Sequence, residues 1–272
     1  MMPLVDYASD SDSSFSSSPP SAPSKLPPLP AAFHDLYAST VRQSTTDDPS
    51  LHHGRRRHTP HVAGHWPSHI YLTWLPSPSQ QNLLHTLVRA AAQRLGANGA
   101  LHSFLKDELA VPLPLHVSLS RPLVLTTANK DAFLIRAQMA ISSAGVGSFA
   151  LSPRGLAWYY SPDADRTFLV VKVTRAESHG NEELAKLLAN CNAATRAFGQ
   201  PELYAVGADV DEAAFHVSIA WTLGNPTAET AGLDDAIDRL MLAERFGGIH
   251  EWKIPIESVK IKIGNVVTSI EL

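Results

Sequence analysis

Two short stretches, His116-Val117-Ser118-Leu119-Ser120 and His216-Val217-Ser218-Ile219-Ala220-Trp221, each set an imidazole two residues ahead of a hydroxyl, and they lie 100 residues apart. Histidine, with an ordinary pKa near ~6.5, takes up or gives up a proton at neutral pH. A serine hydroxyl donates one hydrogen bond to an oxyanion. Two such sets supply a base, an acid and two donors for the charge on a five-coordinate phosphorus. RNA cleavage by its own 2′-hydroxyl needs that set, with His116 as base and His216 as acid, or the reverse. The competing structural reading, a satisfied histidine on a sheet, fits one copy better than a matched pair.

Both stretches alternate polar with β-branched or aliphatic residues, the period-two pattern of a strand with one covered face. His116, Ser118 and Ser120 therefore share one side, as do His216 and Ser218. Around them the chain reads as alternating strands and helices. His69–Leu75 is a strand, and a helix capped by Ser79 runs to about Leu95. A second helix opens near Thr127 or Asn129, and Phe149–Tyr160 with Thr167–Thr174 makes a hairpin about SPDADR. Helices follow over Asn181–Phe198 and Thr230–Phe246, and two strands fill Trp252–Leu272. This order predicts an α+β fold with two pseudo-symmetric lobes of antiparallel sheet, helices outside and a central cleft.

The first 50 residues differ from the rest. They carry twelve serines, eight prolines, two basic and six acidic residues, leaving twenty of each charge sign for residues 51–272. That composition predicts a disordered tail over 1–50 and a two-lobed domain over 51–272, formally neutral, so that a polyanion is held by a local patch. Arg55–Arg57 is a short basic run that fits a nuclear import signal, an RNA-phosphate handle or a solvated lead-in. His61 and His65 have helical metal-ligand spacing, but Pro60, Gly64 and Pro67 argue for a loop and against a metal. Asp209, Asp211 and Glu212 are spaced unlike a calcium loop. The single cysteine, Cys191, falls on a helical apolar stripe and reads as core. No leader pattern is evident and no apolar run reaches the roughly 18 residues of a membrane span.

With HVSLS, FHVSIAW, GHWPSHIYLTWLP and DRTFLVVKV on view, residues 54–272 resemble the 2H phosphoesterase superfamily and, within it, the U6 small nuclear RNA 3′-end phosphodiesterases. The resemblance implies a metal-independent, cofactor-free 3′-to-5′ exoribonuclease that trims a uridine-rich, single-stranded 3′ end and leaves a 2′,3′-cyclic phosphate or a 3′-phosphate. It implies a monomer in the nucleus with U6 snRNA as substrate. It assigns His116 and His216 to catalysis and Ser118, Ser218, Tyr160, Tyr204 and Phe215 to substrate. The family sets a base-stacking tyrosine about six residues before the second histidine; Val210 stands there in this chain and Tyr204 lies twelve before. Trp158 is a further candidate for stacking on a base. Two alternatives stand beside this reading: a 2H cyclic phosphodiesterase acting on tRNA-splicing products or small nucleotides, and a noncatalytic RNA-binding module.

Overall fold

Alternation of apolar and polar residues builds a ten-stranded antiparallel sheet, and the apolar side of nearly every strand points into one core. The computed structural model describes Pro49 and residues 53–54, 62–96, 99–176, 180–204 and 215–272, all within one compact unit, Thr46–Leu272. Apart from Pro49, the expected Ser/Pro tail lies outside the described residues, as do Arg55–Arg57, His61, Val210 and the acids Asp209, Asp211 and Glu212.

In chain order the elements are β1 (His65–Trp74), α1 (Pro78–Leu95), β2 (His102–Ser103), β3 (Leu115–Ser118), β4 (Leu123–Thr126), α2 (Lys130–Ser142) and β5 (Phe149–Ser161). They continue with β6 (Arg166–Arg175), α3 (Glu182–Arg196), β7 (His216–Leu223), α4 (Pro226–Glu229), α5 (Leu233–Met241), β8 (Ile254–Ile256), β9 (Ser258–Ile263) and β10 (Val266–Glu271). Across the sheet the order is β10-β9-β1-β3-β7-β6-β5-β8, with β4 added to β1 and β2 to β7. The two expected lobes are thus two half-sheets, and a bridge from β3 to β7 at Val117↔Val217 joins them into one.

Several boundaries differ from the sequence reading, each for a local reason. Strand β1 starts at His65 rather than His69, because Leu123–Thr126 forms a strand after Pro122 and pairs with His65–Ser68. Helix α1 is capped by Ser77 instead of Ser79: the Gln80 N–H donates to Ser77 Oγ and the Ser77 N–H to Gln80 Oε1, with Pro78 opening the helix. The long helix expected over Thr230–Phe246 breaks into α4, α5 and a 3₁₀ segment, Glu244–Glu251, with Gly232 in the left-handed region at φ 77°. The last stretch holds three strands: the chain leaves β8, paired to β5 in one half, and enters β9, paired to β1 in the other.

The covered face carries Ile70, Leu72, Val117, Leu119, Leu169, Val171, Val217, Ile219 and Val259. The buried sides of α1, α2, α3 and α5 join the same core. The opposite, open face carries most of the polar partners, interrupted on β6 by Val170 and Phe168. At its edge the β9–β10 turn is locked onto Trp66, since Gly264 has φ 59° and an added Cβ would come within 2.8 Å of the Trp66 ring. Gly264→Ala therefore destabilises the fold by about 1–3 kcal/mol through strain and overlap. Gly247→Ala, which meets nothing within 4 Å, stays within about 0.5 kcal/mol. Urea unfolding of the two variants measures the contrast.

Candidate active site

Residues opposite one another in an antiparallel pair project to the same side. Reading the registers outward from the β3–β7 bridge therefore gives the content of the open face. Val117↔Val217 sets His116 toward Ser218 and Ser118 toward His216. On β1, Thr73 is opposite His116 and Tyr71 opposite Ser118. On β9, Lys262 is opposite His69 and Lys260 opposite Tyr71. On β6, Lys172 is opposite His216 and Val170 opposite Ser218, after which a bulge brings Phe168 opposite Trp221. The two His-x-Ser copies are thus brought onto one face, crossed head to tail, with lysines on both flanks.

Electrostatics within this face follow from crowding. His116 keeps one side open to solvent while protein atoms surround the rest. Desolvation first, then the charge of His216, hold its pKa below the ordinary value. The His216 charge thus works against a proton on His116. Tyr159, 47% exposed, lies with its ring centroid 5.3 Å from that of His216, tilted by 34°.

His69 is a residue that the motif reading left out. Its Nε2 is 3.2 Å from Ser118 Oγ, and its ring sits edge-on to His116 at 5.3 Å and stacked with Tyr71 at 5.2 Å. Burial, with smaller contributions from His116 and Lys262 against a hydrogen bond to the Ser120 backbone, lowers its pKa to about 4. The signal was present in His-Ile-Tyr-Leu-Thr, whose alternation sends His69 and Tyr71 opposite to Ile70 and Leu72.

The other candidate residues take different places in the structure. Tyr160 falls on the opposite side of β5 from Tyr159, and its hydroxyl donates to Asp165 Oδ1 in the turn at 3.1 Å, so period-two parity takes it away from His216. Phe215 is 1% exposed and belongs to the core, as the residue before an open-face histidine must. Trp158 is buried as well. Tyr204 packs edge-on to Phe215, with centroids 6.1 Å apart; burial, then the neighbouring Tyr159, push its hydroxyl above the usual range. Its ring is partly buried against the core, with its hydroxyl within electrostatic reach of Tyr159. Ser120 is buried and structural: it accepts the Ile70 N–H at 2.9 Å and donates to the Arg121 carbonyl. Cys191 is core too, its thiol pushed up to about 12 by burial. His65 and His69 stand on a strand, and among the described residues no three His, Cys, Asp or Glu side chains form a group able to hold a metal.

The lowered His69 pKa has a stability consequence. The folded protein keeps this ring neutral to about pH 4, whereas the unfolded chain protonates it near ~6.5, so stability is lost as pH falls through that window. Allowing for the ring's partly solvated edge, the loss is on the order of 2 kcal/mol. Denaturant unfolding at pH 7.5 and 4.5 is expected to show it, with a smaller difference in His69→Gln; equal differences in both proteins would remove His69 from the account.

Known proteins resemble this chain in sequence and in fold. The family model HVSL, described as an uncharacterised conserved protein, matches residues 27–271. The chain is 40% identical over 283 residues to a Neurospora crassa protein named U6 snRNA phosphodiesterase 1, covering 93% of this chain and 76% of that one. A Xenopus laevis protein of the same name is 25% identical with both chains covered in full. Among solved structures, Kluyveromyces marxianus Usb1 with uridine monophosphate superposes with a TM-score of 0.55 at 16% identity, over 76% of this chain and 98% of that chain, which establishes the shared fold. With its paired His-x-Ser strands on one sheet face and a relative at this identity over most of its length, the chain belongs to the HVSL family, that of the U6 snRNA phosphodiesterases.

Proposed function

We propose that this protein is an RNA phosphodiesterase that processes the 3′ end of U6 snRNA, trimming a single-stranded uridine-rich end from 3′ to 5′. The observation that carries the chemistry is the β3–β7 register, which crosses two His-x-Ser pairs on one open face. The names of the relatives support the RNA substrate. The proposal includes action as a monomer in the nucleus without a metal.

In cleavage the ribose 2′-oxygen attacks the adjacent phosphorus, and the P–O5′ bond breaks as the P–O2′ bond forms. One imidazole takes the 2′-hydroxyl proton and the other gives a proton to the departing 5′-oxygen. His116, whose pKa is held down by its surroundings, enters neutral, the state a base requires; His216 then acts as the acid. The immediate product end is a 2′,3′-cyclic phosphate. Its hydrolysis to a 3′-phosphate would exchange the two roles, with water as nucleophile. Tyr159, exposed beside His216, offers its ring to a base, a contact worth about 1–3 kcal/mol and indifferent to which base stacks.

Labelled oligouridine incubated in EDTA tests the reading. Stepwise loss from the 3′ end is expected, reduced about 10²- to 10⁴-fold in His116→Ala and in His216→Ala. Binding without cleavage by the wild type would favour the noncatalytic module, and cleavage only of nucleoside cyclic phosphates would favour the small-substrate enzyme. A substrate with sulfur in place of the leaving 5′-oxygen needs no acid, so it is expected to restore His216→Ala and not His116→Ala; the reverse pattern exchanges the roles. Tyr159→Ala is expected to raise KM for oligouridine about tenfold, while Tyr160→Phe leaves it unchanged.

A further inference from the structure

An RNA chain cut next to its last nucleotide has unequal sides. The attacking 2′-oxygen belongs to the nucleotide on the 5′ side of the scissile phosphate, and every remaining phosphate lies further in that direction. The departing nucleotide brings a ribose, a base and no further phosphate. The open face is unequal in the same way. Outward from His216, Lys172 is the direct neighbour, and β5 then sets Gly155, Ala157 and Tyr159 opposite Lys172, Val170 and Phe168. The cation on that strand, Arg154 at the bulge, donates its Nε–H to Thr174 Oγ1 at 2.8 Å. Outward from His116, β1 carries Thr73, Tyr71 and His69, and β9 sets Lys260 opposite Tyr71 and Lys262 opposite His69. Two strand spacings, about 10 Å, separate β9 from β3, so these ammonium groups stand to one side of the two motif histidines. The two lysines are not alike. Lys260 Nζ donates to Ser269 Oγ at 2.7 Å, and that hydroxyl donates on to Glu271 Oε1 at 3.0 Å, so its charge is partly answered on β10. Lys262 is exposed, stands opposite Val267 on β10 and pairs with no carboxylate among the described residues.

We propose that RNA crosses the open face with its 5′ body over β1 and β9, where Lys262 holds the phosphate next upstream of the scissile one, and with its 3′-terminal nucleotide over β5 and β6. The inference deepens the phosphodiesterase reading and rests on it. Lys172, directly opposite His216, is left for the scissile phosphate, and the exposed Tyr159 ring for the terminal base. Tyr71, half-buried with its ring stacked on His69 and edge-on to His116 at 5.5 Å, lies beneath the nucleotide that carries the attacking hydroxyl. This direction sets the 2′-hydroxyl on the His116 side and the departing 5′-oxygen on the His216 side. Fixed charge on the flanking strands thus leads to the same roles, His116 as base and His216 as acid. It also keeps an ionic hold on the retained chain after each cut, while the released nucleotide leaves from the side where only a ring holds it.

Dinucleotides test the direction on the full chain. UpU has no phosphate beyond the scissile one, pUpU adds one on the 5′ side, and UpUp adds one on the 3′ side. In steady-state cleavage the 5′-phosphate of pUpU is expected to lower KM about threefold relative to UpU, a gain that Lys262→Ala abolishes and Lys262→Arg keeps. KM for UpU is expected to be the same in all three proteins. UpUp, measured as a substrate or as a competitor of UpU, is expected to respond to none of these changes. A Lys262→Ala effect on UpU itself would show that the ammonium acts through the electrostatics of the histidines, and an effect confined to UpUp would reverse the chain; either overturns the proposal. So does a 5′-phosphate gain that is lost in Arg154→Ala and kept in Lys262→Ala. With hexauridine, Lys262→Ala is expected to reduce the logarithmic salt dependence of binding by a slope of about 0.7, whereas Lys186→Ala, exposed on α3, leaves it unchanged. A wild type that cleaves no RNA would instead sink the enzymatic reading, and titration of pUpU and UpU onto wild type and Lys262→Ala would still report whether Lys262 holds the 5′-phosphate.

Discussion

One pair of valines, Val117 on β3 and Val217 on β7, holds the two half-sheets in register. Both are buried, and the rest of the open face depends on that fact. Strand side chains alternate with a period of two, so slipping either strand by one residue would send both its histidine and its serine into the core and its apolar residues into water. Removing a valine or leucine from the core costs about 1.5–3 kcal/mol each, and burying an imidazole and a hydroxyl without partners adds to that. The apolar halves of HVSL and HVSI thus enforce the placement of the polar halves. Function and folding are read from alternate positions of the same eight residues.

Much of this was legible in the sequence because alternation is a local property. Val117 and Leu119 in one copy and Val217 and Ile219 in the other declare which way the histidines point, and the structure has these four buried. The β5–β6 hairpin was equally plain from TFLVVKV and its turn. What the sequence concealed is what depends on partners far along the chain. Strand β1 borrows β3, β4 and β9 as neighbours, and nothing within His-Ile-Tyr-Leu-Thr says that its histidine will lie against Ser118.

Parity explains the tyrosines as well. Tyr159 and Tyr160 are adjacent, so one must face His216 and the other must not; only the register with β6 decides, since Tyr159 pairs with open-face Phe168 and Tyr160 with buried Thr167. Tyr204 takes a backbone conformation unusual for a bulky residue, φ 52°. Asn192 on α3 holds the preceding residue from both sides, donating to the Leu203 carbonyl at 2.8 Å and accepting its N–H at 3.0 Å. No pattern in the residues leading to Phe215 foretells that brace.

A neutral domain that handles a polyanion must gather its cations locally, and the registers do this with Lys172 opposite His216 and Lys262 opposite His69. Without substrate these ammonium groups and the crowded imidazoles oppose one another's charge; Lys262 and His116 both work against a proton on His69, and His216 works against one on His116. A phosphodiester seated among them would bring negative charge to this face. Its negative charge satisfies the lysines and favours a proton on whichever imidazole faces it, as an opposite charge within ~4–6 Å does. On the mechanism proposed above, the arrival of substrate would help to create the acid that the departing oxygen needs, while desolvation would keep the other imidazole neutral. Binding and proton placement are then two consequences of one arrangement of charge, set by which residues fall opposite each other across five neighbouring strands, from β9 to β6.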